Sequence, residues 1–148
     1  MRSALGSDHA GFELKVIISA YLKRSGAEVL DFGAAGPQSV DYPDFGERVA
    51  RAVASGEAER GVLICGSGIG MSIVANRVPG VRAALVNEPL SARLSRQHND
   101  ANILVMGGRM IGAVMAEEIT KVWFETAFEG GRHLMRLEKL KGIEERNP

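Results

Sequence analysis

Short apolar runs alternate with stretches of helical period from one end of the chain to the other. The runs Arg2–Gly6, Glu28–Phe32, Gly61–Cys65, Val81–Val86 and Ile103–Gly107 have the length and apolarity of strands covered on both faces. Between the first two, Leu14, Ile17, Ile18, Tyr21 and Leu22 recur at i, i+3, i+4, i+7 and i+8, and Gly26 follows a basic last turn. That is an amphipathic helix with its stop. Phe45, Val49 and Val53 predict a second helix ending at Gly56, and Ile69–Asn76 a short third one closed off by Pro79. Asn87 and Pro89 suit the start of a fourth, with Leu90 and Leu94 on one face, and Ile111, Met115, Ile119, Val122 and Trp123 mark a fifth. After Gly130-Gly131, Leu134, Leu137 and Leu140 predict a last helix that no strand follows.

This alternation predicts an α/β fold, a Rossmann-like three-layer arrangement on a five-stranded parallel sheet. The length of 148 residues suits a single domain. Such a sheet binds its ligand outside the carboxyl ends of its strands. Polar residues fall there: Asp8 and His9 after strand one, Cys65 and a glycine loop after strand three, Asn87 and Glu88 after strand four, and Gly107, Gly108 and Arg109 after strand five.

Lysine plus arginine number 18 and aspartate plus glutamate 18, a formal charge of zero, so no basic field draws nucleic acid and any anion must be held locally. The single cysteine excludes an internal disulfide and a multi-thiolate zinc site. With no apolar signal core and no run of about 20 apolar residues, a soluble cytoplasmic protein is expected.

The segment GVLICGSGIGM, residues 61–71, ends a buried strand on Cys65 and opens a helix through Gly66, Gly68 and Gly70. Bare backbone there offers N–H donors to an oxyanion, and a helix N-terminus favours a thiolate. The ordinary reading of a lone cysteine is a small buried hydrophobe. Gly66-x-Gly68-x-x-Met71 begins like a dinucleotide fingerprint but has methionine in place of the third glycine and follows the wrong strand. Glu88 lies about twenty residues on, where a ribose-binding acid would stand, although a helix cap explains it as well. These two features leave a non-catalytic nucleotide-binding module as a competing reading. Asp8 suits an N-cap as well as a site. His9, His98 and His133 include no pair at metal-ligand spacing. His98 serves either as a cation on the negative end of its helix or as an acid or base near neutral pH. Arg132 and Arg136, four apart, share one helix face. Together with Arg109 they would form a phosphate site if all three lay near one rim.

With these residues assembled, nearly the whole chain resembles the type B ribose-5-phosphate isomerase family, which also contains isomerases of other aldose phosphates. The resemblance is carried by Gly6-Ser7-Asp8-His9-Ala10-Gly11, Asp41-Tyr42-Pro43, Cys65-Gly66-Ser67-Gly68-Ile69-Gly70, Ser95-Arg96-Gln97-His98-Asn99-Asp100 and Glu129-Gly130-Gly131-Arg132-His133. It implies interconversion of an aldose phosphate and its ketose without metal or organic cofactor, by a homodimer whose sites use both subunits, with a tetramer left open. The C-terminal helix would extend to the dimer partner. By position, Cys65 is then the base that moves a proton between adjacent carbons. The backbone N–H groups of Gly66, Ser67, Gly68, Ile69 and Gly70 meet the enediolate, and the Ser67 hydroxyl relays a proton between its oxygens. His98 opens the furanose ring and Asn99 orients hydroxyls. Asp8 and Tyr42 face the polyol, while His9, Arg109, Arg132 and Arg136 hold the phosphate. Family members without this cysteine carry a glutamate where this chain has Met71, so the resemblance is to the thiol branch. Ser67 stands where that branch often has threonine. The implied substrate is ribose 5-phosphate, with allose or galactose 6-phosphate or a four-carbon sugar phosphate as alternatives.

Overall fold

The computed structural model describes all 148 residues. In chain order these form β1 (Arg2–Ser7), α1 (Phe12–Arg24), β2 (Glu28–Asp31), α2 (Tyr42–Ala54), β3 (Arg60–Cys65) and α3 (Ile69–Ala75). The chain continues with β4 (Ala83–Leu85), α4 (Pro89–Asn99), β5 (Ile103–Gly107), α5 (Ala113–Glu125) and α6 (Arg132–Arg146). The strands make one all-parallel sheet in the order β2-β1-β3-β5-β4. All five predicted strands are present. β4 is shorter than predicted because it lies at the edge, paired with β5 alone, and its first expected residues belong to a turn. There Val81 donates to the Val78 carbonyl and the Arg82 N–H donates to Asn102 Oδ1.

Side-chain alternation along the strands divides the core between two faces. Val62 and Ile64 join Leu5, Ile18, Ile119 and Trp123 under α1, α4 and α5. Leu63 and Cys65 join Val49, Val53, Met71 and Ala75 under α2 and α3. Ile64 and Leu63 are fully buried, and truncating either to alanine would cost about 2–5 kcal/mol. The three-layer α/β expectation is therefore met. α6 stands outside these layers and meets the rest of the chain chiefly at α4. On it, Leu134 and Leu140 of the predicted apolar stripe are exposed and only His133 is buried.

This topology fixes what each end of the sheet can display. α1, α3, α4 and α5 each begin at the carboxyl rim, so Pro89 at the first position of α4 lies there. The helices run back antiparallel to the strands. His98 and Asn99, the last residues of α4, accordingly reach the opposite, amino rim.

Candidate active site

At the carboxyl rim three loops are tied backbone to backbone. Asp8 N–H donates to the Ile64 carbonyl at 3.2 Å, Gly108 N–H to Cys65 O at 2.7 Å, and Arg109 N–H to Gly66 O at 2.9 Å. Gly11 permits the first approach, since a Cβ there would stand 2.4 Å from the Ile64 oxygen. The Asp8 carboxylate accepts the Gly11 N–H at 3.0 Å and so holds the turn before α1. A cavity of about 400 Å³ opens between these loops, lined by Asp8, His9, Tyr42, Cys65, Ser67 and Arg109, together with Ala10, Gly66, Gly70 and Met110. It lies at the β1/β3 switch in strand order, where an open α/β sheet takes its ligand.

Cys65 is buried, 5 % exposed, and Gly68 N–H donates to its Sγ at 3.1 Å. Gly68 makes that contact in a left-handed conformation, φ +80°, open to glycine at little cost. Ile69 N–H is likewise engaged, by Ser67 Oγ at 3.2 Å. Of the loop donors expected to meet an oxyanion, Gly66, Ser67 and Gly70 are therefore the ones whose N–H groups have no acceptor within the protein. The Ser67 hydroxyl accepts from Ile69 and keeps its own proton to donate. His9 accepts the Val40 N–H through Nδ1 at 3.2 Å, so a neutral ring carries its proton on Nε2, free to donate. The Tyr42 ring lies against Gly70, close enough that a Cβ there would approach it to 2.7 Å.

The second group of expected residues assembles at the amino rim. His98 is half-buried and Asn99 exposed. The carbonyls of Asn99 and Asp100 accept from Arg82, which precedes β4, each at 3.1 Å. Glu129 N–H donates to Gln97 O at 3.1 Å, which draws the start of α6 to the end of α4. There the His133 ring stacks on His98, centroids 4.4 Å apart and planes 17° from parallel. Burial, His98, Arg132 and Arg136 together hold the His133 imidazole below the ordinary histidine range, against a smaller opposing effect of Glu129. Arg132 and Arg136 are exposed and have no carboxylate partner, and neither has Arg109. Donor atoms of His98, Glu129 and His133 lie within 4.8 Å of one another. The near-parallel rings direct their in-plane lone pairs past each other, so an ion would need one ring to turn.

The sequence-predicted residues therefore fall into two groups. One cavity unites Asp8, His9, Tyr42, Cys65, Gly66, Ser67, Gly70 and Arg109, with Gly68 beneath the sulfur and Ile69 exposed beside the loop. His98, Asn99, Arg132 and Arg136 stand at the other rim, a strand length or roughly 15–20 Å away. Within one chain the three arginines do not gather at one rim. Glu88 is the N-cap of α4, a place the sequence offered first to Asn87. Its carboxylate accepts from Leu90 N–H, Ser91 N–H and the Ser91 hydroxyl, and the Ser91 bonds hold it below the ordinary carboxylate range. So engaged, it does not line the cavity, and the ribose-binding reading loses its acid. Sequence reasoning missed the pairing of His133 with His98. Its one signal was the place of His133 beside Arg132.

Comparison with known proteins places this geometry. The family model described as Ribose/Galactose Isomerase matches residues 4–140. Ribose-5-phosphate isomerase B of Escherichia coli (strain K12) is 48% identical over 143 residues, which cover 97% of this chain and 96% of that protein. D-erythrulose-4-phosphate isomerase of Pectobacterium atrosepticum is 40% identical, covering 93% of this chain and 91% of its own. The structure of Clostridium thermocellum ribose-5-phosphate isomerase B superposes with a TM-score of 0.99 at 51% identity, covering 100% of each chain. The chain belongs to the ribose/galactose isomerase family.

Proposed function

We propose that this protein interconverts ribose 5-phosphate and ribulose 5-phosphate, with Cys65 as the base. The observation that carries the reading is the Cys65 sulfur beside unpaired loop N–H groups in the β1/β3 cavity. The chain is also about half identical, end to end, to proteins named ribose-5-phosphate isomerase B.

In the proposed mechanism the Cys65 thiolate takes the C2 proton of the open-chain aldose, and the electrons of that C–H bond form the C1–C2 double bond of an enediolate. The N–H groups of Gly66, Ser67 and Gly70 stabilise the developing oxyanion. The Ser67 hydroxyl passes a proton between O1 and O2, and Cys65 returns its proton to C1. Asp8 and Tyr42 hold the hydroxyls, and His9 and Arg109 hold the phosphate. His98 acts on the ring oxygen, Asn99 orients the sugar, and Arg132 and Arg136 complete the phosphate site. These last four residues come from a second copy, because no bending of one chain brings its two sheet rims together. An isologous dimer presents the amino rim of each copy to the cavity of the other. Leu90 and Leu94 support such a contact, for they are 57% and 37% exposed and lie at i and i+4 on the face of α4 that ends at His98.

A substrate panel tests the reading: ribose 5-phosphate, a four-carbon aldose phosphate, and allose and galactose 6-phosphates. The highest kcat/KM is expected for ribose 5-phosphate. Turnover of another sugar with none of ribose 5-phosphate would overturn the substrate and keep the reaction class.

A further inference from the structure

We propose that His133 is a positioning residue for His98, its stacked imidazole fixing the plane in which His98 meets the furanose ring oxygen. This rests on the reading of His98 as the ring-opening group. His133 is 4% exposed, too buried to meet a sugar itself. It is fixed from the backbone, where its N–H donates to Gly130 O at 3.1 Å. Its ring covers the His98 ring at 4.4 Å, so the one His98 face it occupies is closed to other contacts and the in-plane nitrogens point away from the stack. His98 lies on the last turn of α4, and the stack on His133 is the aromatic contact of its ring, a contact that bears directly on its broad χ2.

Charge supports the assignment. The groups facing the stack are Arg132 and Arg136 from α6 and Glu129 from the preceding loop, whose Oε2 is 3.6 Å from His133 Nε2. Two stacked imidazolium rings beside two guanidiniums would repel. Burial and these cations disfavour the charged form of His133, so the stack does not set a second imidazolium against the His98 ring.

The experiment compares His133→Leu, His133→Phe and His98→Asn by two readouts. One is turnover of ribose 5-phosphate, which must be ring-opened. The other is solvent deuterium exchange at C1 of ribulose 5-phosphate, whose esterified C5 oxygen cannot close a furanose. His133→Leu is expected to lower kcat on ribose 5-phosphate at least tenfold while exchange stays within about threefold of wild type. His133→Phe, which keeps a stacking ring, is expected to restore most of the turnover. Equal losses in both readouts, no loss with leucine, or no rescue by phenylalanine would overturn the proposal. Should His133→Leu fail to fold, the phenylalanine variant decides alone, for a selective loss of turnover in it contradicts stacking as the function. Full turnover by His98→Asn would overturn the ring-opening reading and the proposal together. A loss in that variant with none in His133→Leu overturns the proposal alone.

Discussion

At the carboxyl end of the sheet, functional side chains ride on loops stitched together by backbone hydrogen bonds of 2.7–3.2 Å and surround a formed cavity. At the amino end they ride on the meeting of two helix termini, α4 and α6, where Arg132 and Arg136 stand in solvent without partners. The first rim holds a nucleophile-like sulfur, a hydroxyl and oriented N–H donors, the equipment of proton transfer. The second holds positive charge and an imidazole pair, to which the proposed mechanism gives recognition and ring opening. Rigid geometry suits a step in which a proton moves between adjacent carbons. Exposed arginines suit a surface that acquires its geometry only when another surface meets it.

Breaking the carboxyl rim should cost most. Cys65→Ala is expected to lower kcat by roughly 10²–10⁴-fold with phosphate-analogue binding retained, measured by turnover and by solvent exchange at the substrate carbon. Persistent exchange would remove Cys65 as the base. Breaking the amino rim should act on affinity instead. Arg132→Ala or Arg136→Ala is expected to raise KM by an amount equivalent to about 1.5–3 kcal/mol for a lost charged hydrogen bond, with kcat less affected in steady-state kinetics. Gly68→Ala probes how far the first rim depends on its backbone. Its Cβ would meet Leu85 Cδ1 at 2.4 Å and the Met106 backbone at 3.0 Å, so a stability loss of roughly 1–3 kcal/mol should accompany reduced turnover in paired melting and activity measurements.

The smallest effect belongs to Glu88, which shares the carboxyl rim without sharing the chemistry. Its lowered pKa means that the folded state binds its proton less readily than the unfolded chain does. The cap therefore stabilises fully above the ordinary glutamate range and is lost as pH falls through the lowered value. Glu88→Gln should melt slightly below wild type at neutral pH, converge with it in acid, and leave turnover unchanged. Reduced turnover would return Glu88 to the site.

What the sequence disclosed follows the same division. The carboxyl rim was legible because strand ends are marked by local signals, an apolar run closing on Asp8, Cys65 or Gly107, and because topology sends those ends to one place. Even the ambiguity of Asp8 was real, for it caps a turn and lines the cavity at once. The amino rim was not legible as a place. His98 and Arg132 are separated by a strand and a helix, and only the antiparallel return of α4 and α5 joins them. The stacking of His98 on His133 has no periodicity to announce it. Nor did the alternation of elements show that Leu134 and Leu140 would remain exposed, since a helical stripe records that a face is covered but not by which chain.

The central claim is that a working site takes its base from one copy and its amino-rim residues from another. Mixing the Cys65→Ala protein with an Arg132→Ala/Arg136→Ala protein, after reversible dissociation, tests it directly. Random pairing makes half the dimers mixed, each with one site free of both defects, so recovery to roughly a quarter of wild-type activity is expected. Subunit exchange verified by mass, with no recovery above the two separate variants, would place all these residues in a site within one chain and contradict the account.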